Sequence, residues 1–217
     1  MSLVTKLDEE KITEKTCNHF LINEYKGPIG IMPHTDGPLY HPYVCIVSLG
    51  SSILFHFFED FQAFDCDFSS ETLLVEEGSL FIFSQEYYTN MLHCIKEVGF
   101  ESFGMYVRIV KNAATSKYSA VVDEKQMIAN LLQTKIFQER LKPPFEAAEG
   151  NQFKDRNSEV EVIKALISEF DKKTFEKYQI DVVPDLEAPE FVKIVVGWAR
   201  NLRLSLTIRY VYPAPAP

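Results

Sequence analysis

Short runs of aromatic and β-branched residues, broken by turn residues, fill the chain from Asn18 to about Ile109. These residue types favour extended strands, and the glycines, prolines and acidic residues between the runs favour turns. The clearest candidate strands are residues 19–25, 44–49, 53–58, 72–75, 79–83 and 103–110, with a tight turn at Glu77-Gly78. Many short strands at regular spacing predict a β-sandwich or jelly roll.

The middle of the chain changes to a helical period. Asp123 can cap a helix whose apolar residues recur at helical spacing and which ends before Pro143-Pro144, and a second helix is predicted from Ser158. The polar segment 147–157 between them is predicted to be a loop. Strand character returns after Pro189. The fold class is therefore predicted to be mainly β with an α insertion.

Length and composition exclude several classes of protein. The 217 residues, 46% of them hydrophobic, can build an ordinary core, and no apolar stretch reaches membrane-spanning length. The first ten residues turn acidic before a signal-peptide core could form, so secretion is not expected. The cysteines form no CxxC pair, which indicates reduced thiols in a cytoplasmic or nuclear protein; they are Cys17, Cys45, Cys66 and Cys94.

The net charge also bears on partners. The chain has 31 acidic residues against 22 basic ones and a formal net charge of -9. Because nonspecific binding to nucleic acid depends on Lys and Arg neutralising phosphates, such binding is predicted to be weak.

One pattern points to metal chemistry. His34 and Asp36 are two residues apart, so on an extended strand both side chains lie on the same side while Thr35 points away. A third ligand, His93, lies in the mostly apolar run 88–95, which is predicted to be a neighbouring strand. Two histidines and a carboxylate leave three positions open on one face of a ferrous ion. A His-x-Asp is common, however, and by itself also fits a solvated turn.

A second pattern concerns cations. The run Arg203 to Arg209 alternates, so that both arginines, Ser205 and Thr207 share one face of a predicted strand. That face is either exposed to solvent or the floor of an anion-binding pocket. Alternation alone favours the solvated face.

Together these residues resemble the AlkB-like dioxygenases. The chain has Asn23-x-Tyr25, then His34-x-Asp36, then His93, then Arg203 and Arg209, in the order typical of that family. The segments 23–25 and 30–40, together with Ser48-Leu49-Gly50-Ser51 and 204–209, are similar to the AlkB homologue 6 branch.

The resemblance implies a double-stranded β-helix (jelly-roll) core that covers approximately residues 17–111 and 200–212 of a single dioxygenase-like domain, 1–217. A helical insertion of approximately 112–199 would separate the two parts. It implies Fe(II) bound by His34, Asp36 and His93, with 2-oxoglutarate and dioxygen as co-substrates.

The remaining motif residues would hold 2-oxoglutarate. Arg203 would pair with the distal carboxylate, for which a planar guanidinium is suited. Asn23 and Tyr25 would hydrogen-bond the same molecule, and Arg209 would help to hold its metal-side end. Tyr25 could instead simply pack, and Arg209 could be solvated. Arg108 is a rival for the Arg203 role, although its flanking sequence does not match the family.

The function implied is oxidative demethylation or hydroxylation of alkylated nucleic acid or protein. The alternative is a non-catalytic jelly-roll binding or scaffold protein with a degenerate or incomplete site. Few residues precede Asn23, which leaves little room for the N-terminal lid with which base-acting family members hold a flipped nucleotide. His19, His41 and His56 are predicted to be structural or surface residues. Cys94 is predicted to be a small core residue, and Tyr40 either lines a substrate pocket or packs.

Overall fold

The structure is a computed structural model that describes residues 2–111, 118–122, 133–134, 177–184 and 191–213. These residues contain twelve strands and three short helices. In chain order the elements are α1 (Leu3–Glu9), β1 (His19–Tyr25), β2 (Ile31–His34), β3 (Tyr43–Leu49), β4 (Ile53–Phe58), α2 (Phe61–Asp65), β5 (Glu71–Val75), β6 (Leu80–Ser84), α3 (Glu86–Thr89), β7 (Leu92–Ile95), β8 (Phe100–Lys111), β9 (Tyr118–Val122), β10 (Gln179–Pro184), β11 (Phe191–Ala199) and β12 (Arg203–Arg209).

The chain divides into two compact units. The first contains residues 1–99 and 200–217, and the second contains residues 100–199. The second unit is therefore inserted, in sequence, between strands β7 and β12 of the first. None of the helices in the described part of the chain has the length and apolar character that crossing a bilayer requires.

The first unit contains two antiparallel four-stranded sheets. Their strand orders are β1-β12-β3-β6 and β2-β7-β4-β5, so the chain passes repeatedly between the two sheets, and only β4 and β5 are successive strands of the unit that pair within one sheet. Eight strands connected in this way form a double-stranded β-helix. The predicted jelly-roll fold is thus confirmed.

The core of this unit lies between the inner faces of the two sheets. Phe83 of one sheet contacts Phe57 of the other with ring centroids 5.6 Å apart, and Phe55 with centroids 6.0 Å apart. The rest of this cluster is aliphatic or aromatic and comprises Tyr25, Val44, Ile46, Ile53, Val75, Tyr88 and Ile95. Alternation along the strands places these residues on the inner faces.

The second unit contains the antiparallel sheet β10-β11-β8-β9. Its two central strands pair Met105 with Ile194 and Phe103 with Val196, and all four side chains are buried. Residues 191–199 form β11, in line with the strand character predicted after Pro189, and β9 and β10 also lie within the predicted insertion. The two helices predicted from Asp123 and Ser158, and the loop 147–157, lie outside the described residues.

Two local predictions need correction. The run 88–95 is a strand only from Leu92, since Glu86–Thr89 forms a helical turn that buries the ring of Tyr88. Strand β2 ends at His34, before Asp36. It ends there because Gly37, with a φ of +79°, and Pro38 turn the chain out of the extended conformation.

Candidate metal centre

The three predicted metal ligands converge inside the jelly roll. His34 and His93 lie directly opposite each other on the paired strands β2 and β7, with ring centroids 4.4 Å apart. Although Asp36 lies beyond the end of β2, its carboxylate joins them, and one ligand atom from each residue lies within 4.8 Å of the other two. The structure therefore brings together the three residues that the sequence pattern singled out.

The surroundings of His34 leave one ring nitrogen available. Its Nδ1 lies 2.7 Å from the carbonyl oxygen of Met32. A carbonyl oxygen only accepts, so Nδ1 carries the hydrogen and donates it. Nε2 then has a free lone pair, and this fixed tautomer is the usual arrangement of a metal-binding histidine.

His93 is held neutral by its environment. Its ring packs against Phe55 and Phe83, with centroids 5.6 and 4.9 Å away. Burial first, and then the charges of His34 and Arg209, lower the pKa of His93 to about 3. A neutral imidazole is the form that binds metals, so this ligand is ready at physiological pH.

Asp36 is oriented by a buried arginine. The Nη1 of Arg209 donates to Oδ1 of Asp36 over 2.7 Å, and both side chains are largely shielded from solvent. Because the pair uses Oδ1, Oδ2 can bind a metal. The guanidinium of Arg209 also lies over the ring of Tyr40, with its Cζ 4.2 Å from the ring centroid.

A second buried arginine lies at the other end of β12. Arg203 is 1% exposed, its Nε donates to Oγ of Ser48 over 3.1 Å, and its Cζ lies 5.3 Å from the ring centroid of Tyr25. Its Nη1 is buried and has no hydrogen-bond partner among the described residues. Burial, with a smaller effect of Arg200, lowers the pKa of this guanidinium to about 10, so it remains charged.

The face that carries these arginines is buried. Arg203, Ser205, Thr207 and Arg209 are each less than a tenth exposed. The interpretation of this face as solvated is therefore wrong. Alternation along a strand shows which residues share a face, but what covers that face depends on the opposing sheet.

The predicted asparagine and tyrosine lie beside Arg203. Asn23 and Tyr25 are on β1, opposite Ser205 and Arg203 of β12. Burial raises the pKa of the Tyr25 phenol, while the positive charge of Arg203 and a hydrogen bond from Asn23 act in the opposite direction. Tyr25 is thus part of a polar group around the arginine, as well as part of the core.

Buried nitrogens without partners identify where a ligand would fit. In the described part of the jelly-roll unit, four such atoms occur: His19 Nδ1, His93 Nδ1, Arg203 Nη1 and Arg209 Nε. Leaving a buried polar atom unsatisfied costs roughly 1–3 kcal/mol, so each one calls for an explanation. A metal ion with a carboxylate-bearing co-substrate suits these nitrogens, because the arginine cations attract a carboxylate and a neutral histidine binds a metal ion.

Several residues of this site were missed or left aside in the sequence. Ser48, which accepts from Arg203, gave no signal beyond its place in a matching segment. Arg200 binds the carbonyl oxygens of Ile29, Lys96 and Val98, and so fixes the chain before and after the sheet that carries the histidines. Arg108 lies in the second unit, with its backbone on β8 opposite Phe191. Its side chain is outside the described part of the structure.

The other predicted residues lie as follows. His19 is on β1 opposite Arg209, with its ring against Tyr40. His56 is buried and its Nδ1 lies 2.9 Å from Oγ1 of Thr72, whereas His41 lies between Tyr212 and Glu14. Cys94 is buried, and all four cysteines are free thiols.

The fold and the converging side chains define a double-stranded β-helix with a candidate centre of two histidines and one carboxylate. No family model matches the chain. A protein of Danio rerio described as "Probable RNA/DNA demethylase ALKBH6" is 42% identical over 91 residues, which is 39% of this chain and 39% of that protein. The matched segment of this chain is similar to that protein, and it spans well under half of the length of either one.

Proposed function

We propose that this protein is an Fe(II)- and 2-oxoglutarate-dependent dioxygenase that demethylates or hydroxylates an alkylated nucleic acid or protein. The observation that carries the proposal is the convergence of His34, Asp36 and His93 in a fold whose interior also holds the buried guanidinium of Arg203. The similarity to a protein described as a probable RNA/DNA demethylase supports the reaction class.

In this proposal the chain positions groups and excludes water. His34, Asp36 and His93 would hold Fe(II), and the unpartnered Nη1 of Arg203 would take the distal carboxylate of 2-oxoglutarate, beside Tyr25. The bound metal, 2-oxoglutarate and dioxygen would supply the oxidising chemistry, with release of succinate and carbon dioxide. The aromatic rings around His93 keep its side of the site dry.

The test is formation of succinate from 2-oxoglutarate in the presence of Fe(II). We expect the unaltered chain to release succinate even without added substrate, and His34→Ala to reduce this to the background rate. Thr35→Ala is the matched control, because Thr35 lies between the two ligands but is exposed. A chain that binds metal yet releases no succinate would instead be the non-catalytic binding or scaffold protein.

The substrate requires a separate comparison. The printed description of the relative favours nucleic acid, whereas the acidic composition of this chain disfavours loose phosphate binding. Measuring stimulation of succinate release by a methylated single-stranded RNA and by a methyl-lysine peptide, side by side, distinguishes the two. Localisation in the cytoplasm or nucleus remains a prediction.

A further inference from the structure

We propose that Tyr40 is a positioning residue that fixes the metal-binding carboxylate by holding Arg209. The proposal rests on the metal site of the proposed function and concerns a side chain that does not itself contact the metal. It starts from two contacts in series: Asp36 is paired with Arg209, and the guanidinium of Arg209 lies over the ring of Tyr40.

Asp36 lies in a loop that follows β2, because β2 ends at His34. The pairing of β2 therefore does not hold this loop in place. It is held instead by the chain that follows β12. Tyr40 forms an isolated antiparallel β-bridge with Val211, the amide of His41 donates to the carbonyl of Tyr210, and the amide of Tyr212 donates to the carbonyl of Leu39. The backbone of Tyr40 is thus fixed on both sides, and its ring has a defined place.

From the other end of the same loop, Tyr88 reinforces this arrangement. Its hydroxyl donates to the carbonyl of Gly37 over 2.6 Å. The backbone of the loop is therefore anchored beside Asp36 by Tyr88 and beside Tyr40 by the residues after β12. What the backbone contacts do not fix is the rotation of the Asp36 carboxylate, which depends on Arg209.

Arg209 itself needs a support. Its Nε is buried and has no hydrogen-bond partner among the described residues, so the guanidinium is held by the Asp36 pair at one side and by the ring of Tyr40 at 4.2 Å. A cation over an aromatic face is attracted by the ring, and the attraction is stronger when the cation is desolvated. The planar ring also restricts the plane of the guanidinium. This restriction orients the N–H groups of Arg209, one of which donates a hydrogen bond to Asp36.

The ring of Tyr40 is supported in turn by His19. Their ring centroids are 5.3 Å apart, and His19 lies opposite Arg209 in the pairing of β1 with β12. His19, Tyr40 and Arg209 therefore form one contact series that ends at Asp36. A ligand carboxylate that can rotate binds its metal less tightly, because its orientation must be fixed at the moment of binding.

The experiment measures binding of Mn²⁺, used as a redox-inert replacement for Fe²⁺, by calorimetry. Loss of a group that orients a ligand typically weakens metal binding 10- to 100-fold. We expect Tyr40→Leu to weaken Mn²⁺ binding about 10-fold, and Tyr40→Phe, which keeps the ring, to stay within about twofold of the unaltered chain. If Tyr40→Leu does not fold, Tyr40→Met serves in its place.

A double-mutant cycle tests whether Tyr40 acts through Arg209. In an Arg209→Gln background the Asp36 pair is already lost, so adding Tyr40→Leu should weaken binding by less than about twofold more. Tyr210→Leu is the matched control, because it removes a ring of the same size from the adjacent segment, where the ring lies near Lys15. This control should bind Mn²⁺ as the unaltered chain does.

Other results would overturn the proposal. Unchanged affinity in Tyr40→Leu, an equal loss in Tyr40→Phe, or full additivity with Arg209→Gln would each show that the ring does not position Asp36. If the unaltered chain does not bind Mn²⁺, or if His34→Ala binds it equally well, the metal site is absent. That result would overturn both this inference and the proposed function. The first three results leave the proposed function intact.

Discussion

At the scale of single residues, three buried arginines with similar exposure have different partners. Arg200 binds three backbone carbonyls, Arg203 binds Ser48 and faces Tyr25, and Arg209 pairs with Asp36. Only the partners separate a structural arginine from one that can receive a ligand. The unpartnered Nη1 of Arg203 is the atom that makes it the candidate co-substrate residue.

Arg203→Lys is expected to raise the KM for 2-oxoglutarate about 10-fold, since a lysine keeps the charge but loses the fork that grips a carboxylate at two points. Mn²⁺ affinity should not change, because Arg203 does not contact the ligand set. Steady-state succinate assays and calorimetry measure the two effects. Arg200→Lys is the comparison. It should lower the melting temperature and leave the KM for 2-oxoglutarate nearly unchanged. A Mn²⁺ affinity that falls in parallel with the KM effect would argue against this assignment.

At the scale of elements, strand pairing decides whether the ligands meet. His34 and His93 face each other because β2 and β7 pair, and their close approach depends on Gly30 just before β2. A Cβ on Gly30 would lie 2.1 Å from the carbonyl oxygen of Ile95, a distance that no side chain can accept without a backbone shift. This glycine therefore has a steric role in the candidate metal centre.

Gly30→Ala should destabilise the protein by about 2 kcal/mol or more, since the clash is with backbone and not with a flexible side chain. Mn²⁺ binding should weaken as well, because the strands that carry the two histidines are pushed apart. Gly99→Ala is the control, as a Cβ there meets nothing within 4 Å. Thermal unfolding and calorimetry provide the measurements, and equal stability of the two variants would contradict the steric argument.

His56 on β4 predicts how stability depends on pH. Burial, and then the charge of Lys96, lower the pKa of His56 to about 4, against 6.5 when it is unperturbed. Between these values the unfolded chain binds a proton that the folded chain does not. The free energy of unfolding should therefore be full above about pH 6.5 and fall as the pH drops towards 4, by at most about 1.4 kcal/mol per pH unit for one such group.

The measurement is urea unfolding of the metal-free protein across this pH range. His56→Gln should reduce the slope without removing it, because His93 has a lowered pKa of the same sign. Parallel curves for the variant and the unaltered protein would show that His56 takes up a proton in the folded state.

The strands themselves were largely predictable. Residues 53–58 form β4 with the predicted bounds, because this short run rich in aromatic and aliphatic residues favours a strand that is buried on both faces. The prediction of a strand over the whole run 88–95 was wrong for its first residues, since the mostly apolar sequence gives no sign of a helical turn there. The end of β2 at His34 was also missed, although Gly37-Pro38 carried the signal.

At the scale of the whole molecule, the net charge bears on nonspecific binding to nucleic acid. The net charge is -9, and the three arginines of the jelly-roll unit are buried, so the chain as a whole disfavours loose contact with phosphates. We expect no binding of an unmodified single-stranded RNA of 20 nucleotides at micromolar protein and physiological salt, measured by fluorescence anisotropy. Binding with a steep salt dependence would show that a local basic surface outweighs the net charge.

By itself the sequence determined the β class, the metal-binding residue types and the order of motifs that resembles the AlkB-like dioxygenases, because periodicity and spacing are properties of the linear chain. The tertiary structure decided which surfaces are inside. Whether the face of β12 is solvated, whether Asp36 reaches the two histidines from beyond its strand, and which nitrogens of Arg203 and Arg209 keep no partner all depend on contacts between segments far apart in sequence. Such contacts are set by the pairing and packing of sheets, and local residue patterns do not encode them one segment at a time.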